Sequence, residues 1–346
     1  MATREDVARL AGVSGATVAR VFSNSSNVSV KTTAKVLDAA RFLEYAPNFY
    51  GRALRGKSPK QLLVYSPELF NPFFVQVFYG IDDYARERGY QVSLTRNFSR
   101  SDIQQRRFEG VVCCIYDPNE FLKEAQFLDQ HGVPFAFLNS LTSAFDSEDG
   151  SQVGFQHGSA VDMNWEQGAY ILTDYLRLLG HEEMLMIVDT AKLEGDKKWR
   201  GARECAEEKG LRLTSMNLEP LPGKIENPYE YGYLMSYRIS RVRPLPTAVI
   251  CCSDPIAIGL ICGLVQQRIR VPEDISVAGF DDSLQSAYTN PPLTTVHSPK
   301  YQIGQMLAQT LIATLRSEDV SPLPLEPRLI IRQSTAPRRS KDVFIP

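Results

Sequence analysis

Three short segments at the start of the chain carry hydrophobic residues at the spacing of an α-helix. The first begins at Thr3, which forms a Thr-x-x-Asp start with Asp6, and it breaks at Gly12-Val13-Ser14. Ser14 is placed to cap the second helix and Ser29 to cap the third, which ends before Pro47. The residues predicted to share an inward face are Val18, Val21 and Phe22 of the second helix and Val36, Leu37, Ala40 and Leu43 of the third. Two helices joined by a three-residue turn that contains glycine predict a helix-turn-helix.

From Gln61 onward, short hydrophobic runs alternate with amphipathic helical stretches. The predicted strands are 62–65, 91–95, 111–115, 135–138, 184–188, 248–252 and 276–278. The predicted helices are 73–88, 121–130, 171–179, 201–209 and 256–267. This alternation is typical of parallel sheets covered by helices, and its length predicts two lobes. Ligands of such sheets bind at the carboxyl ends of the strands.

The distribution of charge separates the start of the chain from the rest. Residues 1–60 hold ten Lys and Arg against four Asp and Glu, a net charge of about +6, which leaves about −8 elsewhere because the whole chain is at −2. A basic segment on an acidic body is typical of a separable nucleic-acid-binding piece. The first residues include Glu5 and Asp6 and lack a hydrophobic signal core, and no run approaches 18 apolar residues, so we expect a cytoplasmic protein.

The cysteines and histidines indicate no reactive chemistry. The cysteines (Cys113, Cys114, Cys205, Cys251, Cys252 and Cys262) form no Cys-x-x-Cys pair, and we interpret them as buried thiols. The four histidines are scattered, and neither a Gly-x-Ser-x-Gly motif nor a phosphate-binding glycine loop occurs. We therefore expect no enzyme activity, no metal and no cofactor.

The start of the second helix carries the residues predicted to reach DNA bases. In a helix-turn-helix, the N-terminal side chains of the second helix enter the major groove. These side chains are Ser14, Gly15, Ala16 and Thr17, with Arg20 one turn further on. Arg20 can pair bidentately with guanine, whereas Ala16 offers only an apolar contact. The alternative is a three-helix bundle that binds proteins, with Arg20 in solvent.

The first fifty residues resemble the headpiece of the lactose-, galactose- and purine-repressor family. The resemblance rests on 6–14, on 16–21, on Val28-Ser29 and on Tyr45-Ala46-Pro47-Asn48. It implies that Gly15 and Ala16 choose the operator and that Thr3, Asn27 and Asn48 also contact DNA. Ala19 and Ser23 stand where the family usually has Ser and Asn.

Residues 48–55 resemble the hinge helix of the same family. There, two such helices meet across the axis of a homodimer and insert paired leucines into the minor groove; Leu54 is at that position. An inserted apolar side chain kinks the duplex and adds sequence preference. Gly51 replaces the usual alanine and costs up to ~1 kcal/mol of helix propensity. The hinge is therefore expected to fold only on DNA.

The resemblance continues through the second part of the chain, most closely in 279–282 and 292–296. It implies a fold like that of the periplasmic sugar-binding proteins. The implied division is a headpiece at 1–47, a hinge at 48–58 and a two-lobed domain at 61–346, with an N-lobe at about 61–160 plus 293–320 and a C-lobe at about 161–292 plus 321–340. The segment 91–108 is shorter than the family usually has, which predicts a truncated helix.

The resemblance also places five residues at a ligand in the cleft between the lobes. Phe73 is expected to stack on a ring, Arg200 to bind hydroxyls or an anion, and Asp281 to accept hydrogen bonds. Ser253 replaces the usual Asn, and Asn139 is a further candidate. The plainer alternatives are that Phe73 is a core residue and that Asp281 caps a turn.

These observations predict a DNA-binding transcriptional regulator, of the repressor type, that acts as a homodimer on a near-palindromic operator. A small ligand, a sugar or a sugar derivative, is expected to change its affinity for DNA. Three alternatives remain open. One is a regulator of the same type without effector control, the second is a sugar-binding protein and the third is an enzyme.

Overall fold

The computed structural model describes residues 3–22, 28–43, 60–67, 71–105, 107–115, 117–139, 154–188, 196–217, 227–318 and 325–338. The chain divides into two compact units, residues 1–59 and 60–346. Within the described ranges, no helix is both long and apolar enough to cross a membrane.

The first unit contains three helices, α1 (Arg4–Ala11), α2 (Gly15–Phe22) and α3 (Val30–Phe42). The predicted caps are confirmed, because Thr3 and Asp6 form a capping box and the Ser14 and Ser29 hydroxyls accept backbone N–H groups. Gly12 ends α1 with φ +65°, a conformation that glycine adopts without strain. The core of this unit consists of Val7, Ala8, Val18, Val21, Val36, Ala39 and Ala40.

The inward face of α3 differs from the prediction at one position. Leu37 is 37% exposed, whereas Ala39 is buried. Successive residues of a helix turn by about 100°, so Val36, Ala39 and Ala40 share one stripe that Leu37 leaves. The side chain of Phe22 lies outside the described part.

The second unit begins with a parallel sheet of five strands in the order β2-β1-β3-β4-β5. Its strands are β1 (Gln61–Tyr65), β2 (Gln91–Thr95), β3 (Gly110–Cys113), β4 (Phe135–Asn139) and β5 (Gly158–Asp162). The helices between them are α4 (Pro72–Glu87), α5 (Arg100–Gln104) and α6 (Pro118–Gln130). Helix α5 has only five residues, in agreement with the truncation predicted between 91 and 108.

A second sheet has six strands in the order β11-β10-β9-β8-β6-β7, of which only the β10–β11 pair is antiparallel. Its strands are β6 (Glu183–Val188), β7 (Arg212–Asn217), β8 (Ala248–Cys251), β9 (Ser276–Asp281), β10 (Thr294–His297) and β11 (Arg328–Ile330). The accompanying helices are α7 (Trp165–Leu178), α8 (Lys197–Lys209), α9 (Pro228–Ile239) and α10 (Asp254–Gln266), with a short 3₁₀ helix at Leu284–Ala287.

The chain crosses between the two sheets three times. It leaves the first sheet after β5, returns after β10 with α11 (Lys300–Arg316), and crosses again before β11. Helix α11 packs on α4 and on β3, β4 and β5. Residues 294–297 therefore belong to the second sheet, which corrects the expected return at 293. Residues 161–162, expected in the C-lobe, end β5 in the first sheet. Both strands, β5 and β10, are too short for their hydrophobic pattern alone to indicate which sheet they join.

The central strands are hydrophobic on both faces, as parallel strands covered by helices must be. In β1, Leu62 and Val64 face one hydrophobic cluster, whereas Leu63 and Tyr65 face another. Five cysteines are buried as interpreted from the sequence, but Cys262 on α10 is exposed. The backbone of both sheets thus holds fixed the strand ends at which ligands of such folds bind.

Candidate functional site

The first candidate site is the start of α2. Ser14, Ala16 and Arg20 are exposed, and Gly15 and Thr17 are half-buried. The Ser14 hydroxyl accepts from the Thr17 backbone N–H (3.1 Å) and lies 2.9 Å from the Thr17 hydroxyl. Val18 and Val21 anchor the opposite face of the helix in the core. The helix therefore presents its N-terminal residues as one ordered surface, with Arg20 one turn further along.

The other predicted DNA contacts are only partly described. Thr3 is exposed, and its hydroxyl donates to the Asp6 carboxylate (2.6 Å) within the capping box. It therefore holds the start of α1 whether or not it also meets DNA. Asn27, Asn48 and Leu54 lie outside the described residues, and their roles stay predictions.

The second candidate site is at the carboxyl ends of the strands in the second unit. The order of each sheet reverses beside its first strand, between β1 and β3 and between β6 and β8. A crevice forms outside the strand ends at such a reversal, because the neighbouring connections leave in opposite directions. Ser253 follows β8 and Asp281 ends β9, so the fold brings these two predicted residues to one edge.

Lys198, in the first turn of α8, is the cation at this edge. The residue is 7% exposed, and its ammonium group donates to the Cys252 carbonyl oxygen (2.6 Å). The same group lies 4.6 Å from the ring centre of Trp165 and 4.7 Å from that of Phe280. Aromatic faces attract a cation, so the pair of rings compensates part of the cost of burying the charge.

Asp281 lies in the same group of side chains. Burial raises the pKa of its carboxyl group to about 7, although Lys198 and Lys300 lower this pKa and Asp254 raises it further. The backbone of Asp281 has φ +109°, a strained conformation for a residue other than glycine. Strained residues cluster at functional sites. A buried carboxyl group whose pKa lies near neutral pH can gain or lose its charge when its surroundings change.

A second buried carboxylate holds the loop after β9. Asp254 accepts from the Ser283 backbone N–H (2.6 Å), the Ser286 hydroxyl (2.5 Å) and the Thr295 hydroxyl (2.6 Å). Burial nevertheless raises the pKa of its carboxyl group. These bonds fix the loop that follows Asp281, which corresponds to a structural rather than a ligand-binding role for Asp254.

The crossing segment after β10 is attached to the same loop. The Lys300 ammonium group donates to the carbonyl oxygens of Asp281, Asp282 (3.0 Å) and Ser298 (3.2 Å), and burial lowers the pKa of Lys300. Lys300 is the first residue of α11, which packs on the first sheet. A lysine at the crossing thus ties the start of this helix to the end of β9.

Phe73 and Trp165 meet between the two sheets. Phe73, in the first turn of α4, is 5% exposed, and its ring lies 6.1 Å from that of Trp165 at the start of α7. Phe73 is therefore part of the core in this arrangement, as its plainer interpretation has it. The Trp165 indole N–H and the Ser66 hydroxyl beyond β1 are buried without a hydrogen-bond partner. A buried polar atom without a partner is costly, so both indicate a place for a polar ligand or water.

Three further residues were predicted at the ligand. Arg200 forms an ion pair with Glu166 (3.1 Å), and its side chain is 42% exposed. Ser253 is half-buried and precedes α10 without capping it through its side chain. Asn139 ends β4, where its backbone lies opposite that of Asp162 in β5. The structure therefore places Lys198 and Lys300, rather than Arg200, beside Asp281.

A cavity of about 250 Å³ adjoins the crossing segments and is lined by Asp162, Met163, Asn164, Trp165, Glu166, Lys197, Leu325 and Glu326. Lys197 closes one side through an ion pair with Asp162 (2.6 Å), which joins α8 to the end of β5. Trp165 belongs both to this cavity and to the aromatic group around Lys198. In the described ranges, no cluster of His, Cys, Asp or Glu could hold a metal ion.

Sequence reasoning missed Lys197, Lys198 and Trp165. A signal was present, because Lys197-Lys198 follows the cap Asp196 in the first turn of α8. The N-terminus of a helix is the positive end of its dipole and disfavours cations. Two lysines at that position are a local conflict, and such conflicts are typical of functional sites.

Comparison with known proteins gives two matching families. Residues 3–48 match the model of the bacterial regulatory proteins of the lacI family, and residues 173–335 match that of a periplasmic binding protein-like domain. The HTH-type transcriptional repressor PurR of Vibrio parahaemolyticus serotype O3:K6 (strain RIMD 2210633) is 30% identical over 347 residues, 96% of this chain and 98% of that repressor. PurR of Vibrio cholerae serotype O1 (strain M66-2) is 30% identical over 330 residues, 92% of this chain and 93% of that repressor.

Solved structures show the same fold. The Lac repressor dimer bound to operator and the anti-inducer ONPF has a TM-score of 0.74 at 22% identity, covering 97% of this chain and 99% of that one. The complex of the transcriptional regulator CelR with cellobiose has a TM-score of 0.67 at 25% identity, covering 96% of this chain and 100% of that one.

Proposed function

The chain belongs to the lacI family of bacterial regulatory proteins, and we propose that its cleft between the two sheets binds a carbohydrate or a carbohydrate derivative that changes its affinity for DNA. Its relatives are transcriptional repressors, and it is a DNA-binding transcriptional repressor with a sensor domain for a small ligand.

The group around Lys198 and Asp281 carries the proposal. It combines a buried ammonium group, a carboxyl group with a pKa of about 7 and the rings of Trp165 and Phe280 at one edge of the sheet. Binding sites for small molecules combine apolar walls with a few convergent polar groups in this way. Carboxyl groups accept from sugar hydroxyls and aromatic faces cover the C–H faces of sugar rings. The buried Trp165 N–H offers a further donor. CelR, of the same fold, binds cellobiose.

The DNA-binding unit is proposed to act as a homodimer. A dimer presents two recognition helices to half-sites about one helical turn of DNA apart, so the operator should be nearly palindromic. The Lac repressor of the same fold binds its operator as a dimer. The proposed contacts are Thr3, Ser14, Gly15, Ala16, Thr17 and Arg20, with Asn27, Asn48 and Leu54 from the sequence alone.

Calorimetry of the full-length protein against a library of sugars and nucleotides tests the ligand. We expect a sugar to bind and to change operator affinity. Lys198→Met keeps the length and packing of the side chain but removes the charge, so it should abolish ligand binding while leaving operator affinity without ligand within about twofold. Arg200→Ala is the matched comparison. Because Arg200 pairs with Glu166, it should retain binding. Loss of binding in Arg200→Ala alone would instead assign the role to Arg200.

A regulator without effector control is the second candidate. One observation favours it, because Phe73, Trp165, Phe280 and Lys198 are all buried and Trp165 lies against each of the other three. In that case no member of the library binds, and operator occupancy depends only on the concentration of the protein. Binding of a nucleotide instead of a sugar would retain the effector and change its class.

A further inference from the structure

The first turn of α2 contains a glycine, and a side chain of α1 lies beside it. Gly15 is the first residue of α2. A Cβ atom at Gly15 would lie 3.4 Å from Nε and 3.9 Å from Cζ of Arg4, and 3.5 Å from Oε1 of Glu5. The Arg4 guanidinium group therefore lies beside the place of a Cβ at position 15, where a longer side chain would extend.

Arg4 is held in this position by its neighbours. Its Nε and Nη2 atoms donate to Oε1 of Glu5 (3.2 and 2.8 Å), and this hydrogen bond holds the pKa of Glu5 below its usual value. The capping box of Thr3 and Asp6 fixes the backbone on both sides of Arg4. The Arg4 side chain is 33% exposed, whereas Arg9 on the same helix is 80% exposed. Arg4 is thus a positioned arginine and Arg9 a solvated one.

The position matters because of what α2 does. The N-terminal side chains of a recognition helix reach the base edges in the major groove. Gly15 and Ala16, at the first two positions, carry no hydrogen-bonding side chain. We propose that Arg4 reads a guanine in the major groove, in the place that the missing side chain of Gly15 leaves open. This proposal rests on the DNA-binding function of the family and names one contact of that site.

The geometry favours a base over a phosphate as the partner. A guanidinium group can donate to O6 and N7 of guanine together, which is the most frequent specific contact in the major groove. Phosphate contacts gain mainly from net charge and released counterions. Arg4 shares its charge with the Glu5 carboxylate beside it, so the pair adds little net charge. Glu5 is a positioning residue, because it orients the guanidinium group.

The experiment begins with a selection of operator duplexes from a random pool by the full-length protein. Dissociation constants are then measured for the wild type, Arg4→Ala and the control Arg9→Ala. The selected duplex is compared with versions in which 7-deazaguanine, which lacks the N7 acceptor, replaces one guanine at a time. Arg4→Ala should weaken binding to the selected duplex by about 10- to 100-fold. At one guanine of each half-site, replacement by 7-deazaguanine should weaken binding by the wild type to a similar extent. The same replacement should not weaken binding by Arg4→Ala any further.

Variants at Gly15 test the placement itself. Gly15→Ala keeps Arg4 in place, because its Cβ would be in ordinary van der Waals contact. Gly15→Leu fills the volume of the guanidinium group and should lose the response to the same 7-deazaguanine. Circular dichroism confirms that each variant is folded.

Two results would overturn the proposal. An equal loss on every duplex, with the slope of log Kd against log salt reduced by about one, would make Arg4 a phosphate contact. Unchanged binding by Arg4→Ala would show that Arg4 makes no contact with DNA that contributes to affinity. Neither result concerns DNA binding as such, which fails only if the wild type selects no sequence.

Discussion

The carboxyl group of Asp281 shows how a buried residue makes stability depend on pH. Its pKa is raised to about 7 in the folded protein, mainly by burial, from a value near 4 in an unfolded chain. Between these two values the folded state binds the proton and the unfolded state does not. The free energy of unfolding therefore falls as the pH rises from about 4 to about 7.

Asp281→Asn should remove this dependence, because an amide keeps the shape but does not titrate. Chemical unfolding of both proteins at a series of pH values measures the difference between them. We expect the free energy of unfolding of the variant to increase relative to that of the wild type as the pH rises from 4 to 7. Above pH 7 the difference between the two proteins should stay constant. The difference isolates Asp281 from Asp254, whose pKa is also raised, and from His181, whose pKa burial lowers. A constant difference across this range would show that Asp281 is ionised throughout.

Arg20 lies further along α2 than Gly15, beside which Arg4 is proposed to contact DNA. Arg20 is therefore expected to read a different base pair. Arg20→Ala should cost about 1–3 kcal/mol at one position of the half-site and relax the choice of base there. Binding assays against duplexes with each base pair changed in turn measure this. Arg41→Ala, on the exposed end of α3, is the control and should show no positional effect. A uniform loss on every sequence would identify Arg20 as a phosphate contact.

At the residue scale, sequence patterns predicted caps better than contacts between distant residues. Thr3, Ser14 and Ser29 cap helices as predicted, because a cap depends on neighbours within three residues. Lys198 and Arg200 differ by two positions and thus point to nearly opposite sides of α8. Which of them faces Asp281 depends on how α8 packs, and the sequence of α8 alone does not contain this information.

Helices α4 and α11 cross at glycines, and this crossing positions the residues at their starts. A Cβ atom at Gly80 would overlap the carbonyl oxygen of Tyr301, and one at Gly304 would overlap that of Val77. The backbones therefore touch. Phe73 lies in the first turn of one helix and Lys300 begins the other, so this contact sets the distance between the aromatic group and the crossing segment.

Gly304→Ala should force the two helices apart. Overpacking of this kind costs about 1–3 kcal/mol, which corresponds to a fall in Tm of roughly 2–10 °C. Differential scanning calorimetry measures it. The control is Gly154→Ala, since a Cβ there has no neighbour within 4 Å and should change stability by less than about 0.5 kcal/mol. Equal effects of the two variants would contradict a tight crossing.

Elements with strong hydrophobic patterns were predictable, and two strands at sheet edges, β5 and β11, were not. Strands β1 and β6 lie within a residue of the prediction, because buried strands are continuous apolar runs. The edge strand β2 has no buried residue but also matches its prediction, and its apolar Val92 and Leu94 alternate with polar residues. Strand β5, at one edge, has a single buried residue among five, and β11, at the other sheet's edge, has none among three. Strands β5 and β11 each have one partner strand, and their sequences carry little hydrophobic pattern. Register with the neighbouring strand places them, and this is a property of the folded sheet.

At the scale of the molecule, the two units differ in charge and in topology. The basic first unit contrasts with the acid excess in the remainder of the chain. Attraction to DNA is therefore concentrated in the unit that carries the recognition helix. The sequence predicted this division because charge adds up along the chain. The return of the chain after β10 was misplaced because it depends on which sheet a four-residue strand joins.

Coupling between the two units can be tested by reciprocity. A ligand shifts operator affinity only as far as it binds differently to the two states of the protein, and the operator must then shift ligand affinity by the same factor. We expect a factor of roughly 5 to 150 in both directions, measured by operator titrations with and without the sugar and by calorimetry with and without the operator. Lys198→Met should remove the shift in the first assay and the binding heat in the second. If the sugar binds but neither affinity changes, the ligand occupies a site that is not linked to DNA. If only one affinity changes, at least one assay is not at equilibrium, because a thermodynamic cycle cannot be coupled in a single direction.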